Sequence, residues 1–191
     1  MKKVLLLLAN GFEAVEASVF TDVIGWNKLD GDGTTDLITV GMRKTLKCTF
    51  NFEVIPEMQL SEVNIDEFDA LAIPGGFEEA GFYEDAYSED FLNLIRAFDK
   101  SGKIIASICV AALPVAKSGV LTGRNATTYI GTRQQQLLSF GAEVLGDKPI
   151  VVDDNIITSY NPSTAFEVAF TLLEKLTSEE NCRKVKELMG F

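Results

Sequence analysis

The chain has 191 residues, 47% of them hydrophobic, and a formal net charge of −11. That length and composition suit one packed core, are short for two domains and exclude a disordered chain. The acidic balance, with no basic stripe, sets nucleic acid and anionic membrane surfaces aside as partners.

The first apolar run, Val4–Ala9, is short for the core of a signal peptide, and acidic residues follow at once. It reads as a buried first strand, and the protein as cytoplasmic. No later segment is long and apolar enough to span a membrane. After the Asn10-Gly11 turn, Glu13 to about Leu29 reads as a helix with Val15, Val19, Phe20 and Val23 on one side. Asp30-Gly31-Asp32-Gly33 ends it. Asp36–Gly41 is a second strand, and Leu46–Ile55 a hairpin or edge excursion. Asp69–Ile73 is a buried strand broken by Pro74-Gly75-Gly76. Ser88 to Lys100 is a helix with Ser88 at its start.

Ile104–Ile108 is another buried strand, and a helix begins after Cys109. Pro114 falls in or just beyond its first turn, where a missing N–H costs little. Arg133–Phe140 is a short helix. Ile150–Val152 and Ile156–Thr158 flank Asp153-Asp154-Asn155 as a hairpin. Ser163 to Leu173 is a helix with Ser163 as its N-cap and Phe166 and Phe170 facing inward. Ser178 to Met189 closes the chain as a shorter amphipathic helix. Strands alternate with helices and no linker or repeat divides them. Residues 1–191 are therefore expected to form a single α/β domain, a three-layer sandwich around a mostly parallel sheet.

In such sheets ligands bind beyond the C-terminal strand ends. That rule selects Asn10–Glu16, Pro74–Phe77 and Cys109–Ala112. A free cysteine after an apolar strand is more often packing than nucleophile, and a Pro-Gly-Gly turn is usually only a turn. Together they make chemical sense. A helix start favours thiolate at Cys109. The backbone N–H groups of Gly76 and Val110 suit an oxyanion hole. Glu16, three residues beyond Glu13 on the same helix face, can exchange protons with the thiol. Glu13 itself reads as a helix-start charge. The acidic stretch from Glu78-Glu79 to Glu89-Asp90 reads as a solvated face. The remaining cysteines, Cys48 and Cys182, read as packing and incidental. The odd count without a CxxC pair argues against disulfides and structural zinc. The absence of histidine argues against a catalytic metal.

NGFEAVE, AIPGGF, ASICVAALPVA and TSYNPSTAFEVAF, in this order and at these separations, resemble the ThiJ/PfpI family, closest to its parkinsonism-associated deglycase subgroup and bacterial relatives. The resemblance spans Lys3 to about Leu188. It implies a flavodoxin-like sandwich, a homodimer, a reactive cysteine at Cys109 on a strained turn and a cysteine-contacting glutamate at Glu16. It further implies backbone donors at Gly76 and Val110, with Gly75, Asn10, Tyr129 and Tyr160 as possible pocket residues. Three places depart from the pattern, the first being Val110-Ala111, where relatives often have a small residue and then glycine and where the bulk here narrows the pocket. Many members carry a histidine after a Thr-Thr pair, where this chain has Tyr129, a poor base at neutral pH. The deglycase subgroup carries an arginine where this chain has Tyr160.

The first functional expectation is a cysteine-dependent, cofactor-independent enzyme of the glyoxalase or deglycase type, acting on small reactive carbonyls or glycated substrates through Cys109 and Glu16. The second is a redox-sensing stress protein whose Cys109 oxidises to sulfinic acid. A peptidase or amidase ranks last, because neither this chain nor a second copy of it offers a histidine.

Overall fold

The computed structural model describes residues 1–191. In chain order the elements are β1 (Lys2–Leu8), α1 (Ala14–Asp30), β2 (Thr35–Gly41), β3 (Leu46–Lys47), β4 (Glu53–Val54), β5 (Met58–Gln59), β6 (Ala70–Ile73), α2 (Phe82–Ala86), α3 (Glu89–Lys100), β7 (Ile104–Ser107), α4 (Ala112–Lys117), β8 (Asn125–Ala126), α5 (Thr132–Ser139), β9 (Glu143–Val144), β10 (Ile150–Asp153), β11 (Ile156–Ser159), α6 (Ala165–Leu176) and α7 (Glu179–Met189). Seven strands form one sheet in the order β10-β11-β7-β6-β1-β2-β5. All neighbours are parallel except the β10–β11 hairpin.

The central strands are continuous apolar runs because both faces of the sheet are covered. Val4 to Leu8 and Ala70 to Ile73 are all buried. Helices α1, α6 and α7 pack together on one side, while α3 lies on β6 and β7 with α4 and α5 beside it. The result is an α/β three-layer sandwich. Parallel pairing of Leu6 with Ala72, and of Ile73 with Ser107, brings the C-terminal ends of β1, β6 and β7 side by side. The three loops that leave those ends therefore share one edge of the sheet.

Several boundaries differ from expectation for local reasons. Val15 is not on the inward side of α1 but 53% exposed. The buried face starts one residue later and runs Glu16, Val19, Phe20, Val23. That is the i, i+3, i+4, i+7 spacing of one helix face, so a carboxyl takes the inward position that a valine was expected to fill. Ser163 is not an N-cap. Asn161 accepts the Ser163 N–H, a 3-10 turn covers Pro162–Thr164, and α6 starts at Ala165. Proline cannot donate, so a single tight turn after Asn161 suits it better than a full helix start. Cys182 is buried and its thiol donates to the Phe170 carbonyl. Phe166 is only half-buried, stacked on Phe170 and tilted against Phe191. Helix α2 and the short strands β5, β8 and β9 were not read from the sequence, because two to five residues carry no usable periodicity.

Candidate active site

Three strand-to-helix loops meet at the sheet edge. After β1, Phe12 makes an antiparallel bridge with Gly76, which follows β6. Its bonds run from the Glu13 N–H to the Gly75 carbonyl (2.7 Å) and from the Phe77 N–H to the Gly11 carbonyl (3.2 Å). They flank the Phe12–Gly76 pair, so the Gly76 N–H belongs to neither. No side chain fits at these glycines. A Cβ on Gly75 would stand 2.8 Å from Glu16 Oε2 and 3.0 Å from the Ile108 carbonyl, and one on Gly76 would meet the Gly11 carbonyl and the Phe82 ring.

Cys109 follows β7 and opens a 3-10 turn, Cys109–Ala111, that leads into α4. Its φ is +58°, a left-handed conformation that costs a non-glycine residue about 1 kcal/mol or more. The turn holds that conformation partly through Thr128, whose hydroxyl donates to the Cys109 carbonyl at 2.8 Å. Cys109 is 9% exposed, so its sulfur sits at the floor of a cleft. The cleft measures about 260 Å3, and its wall includes Glu13, Glu16, Gly76, Phe77, Val110, Tyr129, Arg133 and Pro162.

Glu16 enters from the first turn of α1 and is 1% exposed. Its Oε2 accepts the Gly75 N–H at 2.6 Å, while Oε1 is buried with no hydrogen-bond partner. Burial pushes this carboxyl from the usual carboxylate range up to about 8. The Gly75 N–H opposes the shift, the Glu13 charge adds to it, and the Cys109 thiol opposes it. Glu16 therefore holds a proton at neutral pH. Burial also pushes the Cys109 thiol up, reinforced by the Glu16 charge and opposed by the Val110 N–H. The helix-start expectation of a readily formed thiolate is thus outweighed, because desolvation exceeds the pull of one turn of amides. Thiol and carboxyl behave as one coupled acid that resists carrying two charges.

The other expected pocket residues divide. Tyr129 lines the cleft and is 45% exposed. Gly75 lies under Glu16. Asn10 points elsewhere: its side-chain oxygen accepts the Lys47 N–H, and its own N–H donates to Asp85. The Tyr160 hydroxyl donates to the Gly146 carbonyl and is absent from the cleft wall. Glu78 and Glu79 are exposed, as a solvated face requires, yet both stand at the cleft mouth. Arg133 was not anticipated. It is the one cation of the cleft wall, paired with Glu78 at 2.8 Å and set 5.2 Å over the Tyr83 ring. The available signal was its position four residues past Tyr129, at the start of a helix.

The model of the DJ-1/PfpI family matches residues 2–175. The chain belongs to the DJ-1/PfpI family. Among DJ-1/PfpI relatives, Protein dj-1beta of Drosophila melanogaster is 31% identical over 186 residues, covering 96% of this chain and 94% of that protein. The crystal structure of the same Drosophila protein superposes with a TM-score of 0.87 over 98% of this chain and 97% of that one. Deglycase PfpI of Pyrococcus furiosus is 31% identical over 164 residues, 86% of this chain and 93% of its own length. Glutathione-independent glyoxalase DJR-1.2 of Caenorhabditis elegans is 29% identical over 176 residues, 92% and 89% respectively. The DJ-1/PfpI fold thus extends over nearly the whole chain. No helix in it is long and apolar enough to cross a membrane.

Proposed function

We propose that the protein is a cysteine-dependent enzyme of the glyoxalase or deglycase type that converts small reactive carbonyls without a cofactor. The observation that carries this reading is the buried Glu16 carboxyl, set against Cys109 on a strained turn at the floor of an open cleft. The names of the deglycase and glyoxalase relatives agree with it. With methylglyoxal, the Cys109 sulfur adds to the aldehyde carbon, and the thiol proton reaches the aldehyde oxygen through Glu16. The N–H groups of Gly76 and Val110 steady the developing oxyanion. The aldehyde hydrogen then leaves C1 as a proton and one is delivered to C2, which oxidises C1 to a thioester and reduces C2 to an alcohol. Water cleaves the carbon–sulfur bond, returning the thiol and releasing lactate. Lactate formation from methylglyoxal by the wild type, and its loss in Cys109→Ala, test the reading; equal rates would end it.

One observation favours a second role at the same site. Glu16 Oε1 is buried without a partner, and a protonated carboxyl placed there suits an oxygen added to the sulfur. Intact-mass measurement after mild peroxide treatment distinguishes the two, since two oxygens confined to Cys109 support a sensing thiol. A homodimer is the arrangement we propose for the assembly. Val15 and Phe52, 53% and 68% exposed, share an apolar groove with Leu6, Leu8 and Phe12. A patch of this kind on an otherwise acidic chain suits a second copy. Light scattering of Val15→Glu and Phe52→Glu tests it, and an unchanged mass for both would count against this face. The cytoplasm is the compartment proposed for a chain with three free thiols.

A further inference from the structure

The carbonyl conversion, on which this inference rests, needs two separate proton movements. One links the thiol to the aldehyde oxygen, and the other strips hydrogen from C1. Glu16 suits only the first. One of its oxygens is held by Gly75 at 2.6 Å, the carboxyl is 1% exposed, and it carries a proton at neutral pH. A carboxyl that is already protonated cannot accept the C1 proton. The chain has no histidine to do so. Of the other acids on the cleft wall, Glu78 is tied to Arg133 and Glu79 stands exposed at the mouth.

Glu13 remains. It lines the same cleft, is 7% exposed, and forms no ion pair and no side-chain capping bond at the start of α1. A carboxyl kept only to complement the helix dipole has no need of such burial, for which the Val15 amide is its one offsetting neighbour. Its backbone is fixed on both sides. The Glu13 N–H donates to the Gly75 carbonyl at 2.7 Å, and the Glu13 carbonyl accepts from Ala17 at 3.1 Å. Its position is therefore locked to the loop that frames Cys109, and its charge acts on both Glu16 and Cys109.

We propose that Glu13 is the second acid–base residue of this site, the carboxylate that removes the C1 proton from the hemithioacetal and returns it at C2. The electron pair of the C1–H bond moves into the C1–C2 bond, and the C2 carbonyl oxygen takes up a proton from solvent water in the open cleft to give an enediol. Collapse to the thioester passes the Glu13 proton to C2 and the C1 hydroxyl proton to solvent water, which restores the Glu13 carboxylate, so no external oxidant or reductant enters. Burial also sets its strength. It pushes the Glu13 acid upward, and the Val15 amide, short of a capping hydrogen bond, pulls it only part of the way back. A stronger base than an ordinary surface carboxylate results.

The experiment compares wild type, Glu13→Gln, Glu13→Asp and Cys109→Ala with methylglyoxal. In Glu13→Gln, kcat for lactate should fall on the order of a hundredfold with KM within about threefold. The methylglyoxal adduct on Cys109 should accumulate by intact mass, and alkylation by iodoacetamide should stay near the wild-type rate. Glu13→Asp should recover part of kcat. In heavy water the wild type should place deuterium at C2 of lactate, because the proton passes through an exchangeable carboxyl. Complete retention of the C1 hydrogen at C2 overturns the assignment by showing direct hydride transfer. So does an unchanged kcat in Glu13→Gln, or a loss of turnover without adduct and with alkylation equally lost. Wild type that makes no Cys109-dependent lactate removes the carbonyl reading and this assignment together. Lactate from wild type with Glu13→Gln unaffected removes Glu13 alone.

Discussion

Two buried polar clusters sit at opposite ends of the same sheet and have opposite characters. At the end where β2 begins, Asn27 of α1 donates to Thr35 Oγ1 at 2.8 Å and to Asp32 at 3.0 Å, and its oxygen accepts from Asn181 of α7 at 2.7 Å. Asn27 and Thr35 are fully buried, neutral and paired. At the end where β1, β6 and β7 stop, Glu16 is almost as deeply buried and Cys109 somewhat less so, and the pair carries an unpartnered oxygen, a raised carboxyl and a left-handed backbone. The first cluster ties α1 and α7 together. The second keeps unsatisfied groups in place, which is destabilising and is tolerated where a cleft gives them something to act on.

The sharpest way to break this contrast is at the sulfur. Cys109→Ala should lower lactate formation on the order of a thousandfold while leaving the chain folded, read as initial rates beside a circular dichroism spectrum. Glu16→Gln should separate stability from chemistry. The folded carboxyl titrates near 8 against 4.5 for the free group. Between those values the native state keeps a proton that the unfolded chain has lost, so stability falls as pH rises through that window. An uncharged amide still accepts the Gly75 N–H and escapes this cost. Chemical denaturation at pH 7 should show the variant more stable by about 3 kcal/mol, while kcat falls about a hundredfold. Asn27→Ala should do the reverse, costing about 3 kcal/mol by urea titration through the partners it leaves unbonded, with activity per folded molecule unchanged.

A pH profile probes the coupled pair more finely. Alkylation of wild-type Cys109 should climb with pH toward an inflection near 8, where the pair loses its first proton. In Glu16→Gln that inflection should disappear and reactivity should move to higher pH; an unmoved profile would show that the two groups titrate independently. The smallest effect is expected at Tyr160→Phe. Its hydroxyl serves the Gly146 carbonyl outside the cleft, so kcat should change by less than about twofold while stability drops by about 1 kcal/mol. A larger loss of kcat would return Tyr160 to the pocket.

Much of this was legible along the chain. Fully apolar runs at Val4–Ala9 and Ile104–Ile108 announce strands covered on both faces, and the C-terminal-edge rule selects the three loops that carry Glu16, Gly76 and Cys109. Arg133 escaped notice because an isolated arginine on a short helix has no periodic signature. Asn10 and Tyr160 were included by position in a motif, but their partners, Lys47, Asp85 and Gly146, are supplied by other segments. Val15 and Glu16 differ by one step along a helix. Either could have faced inward by pattern, and the sheet edge decides for the carboxyl.

The sequence by itself determined the layered α/β architecture, the family and the loop that bears the thiol, because these follow from local hydrophobic runs and turn residues. The protonation of that thiol was decided only in three dimensions. A helix start next to Cys109 argues for a thiolate, yet burial and the nearby Glu16 charge push the thiol the other way. Desolvation depends on everything packed around a group. The fate of the proton at Cys109 therefore rests with residues from three separate loops, brought within reach of one another by the parallel register of β1, β6 and β7.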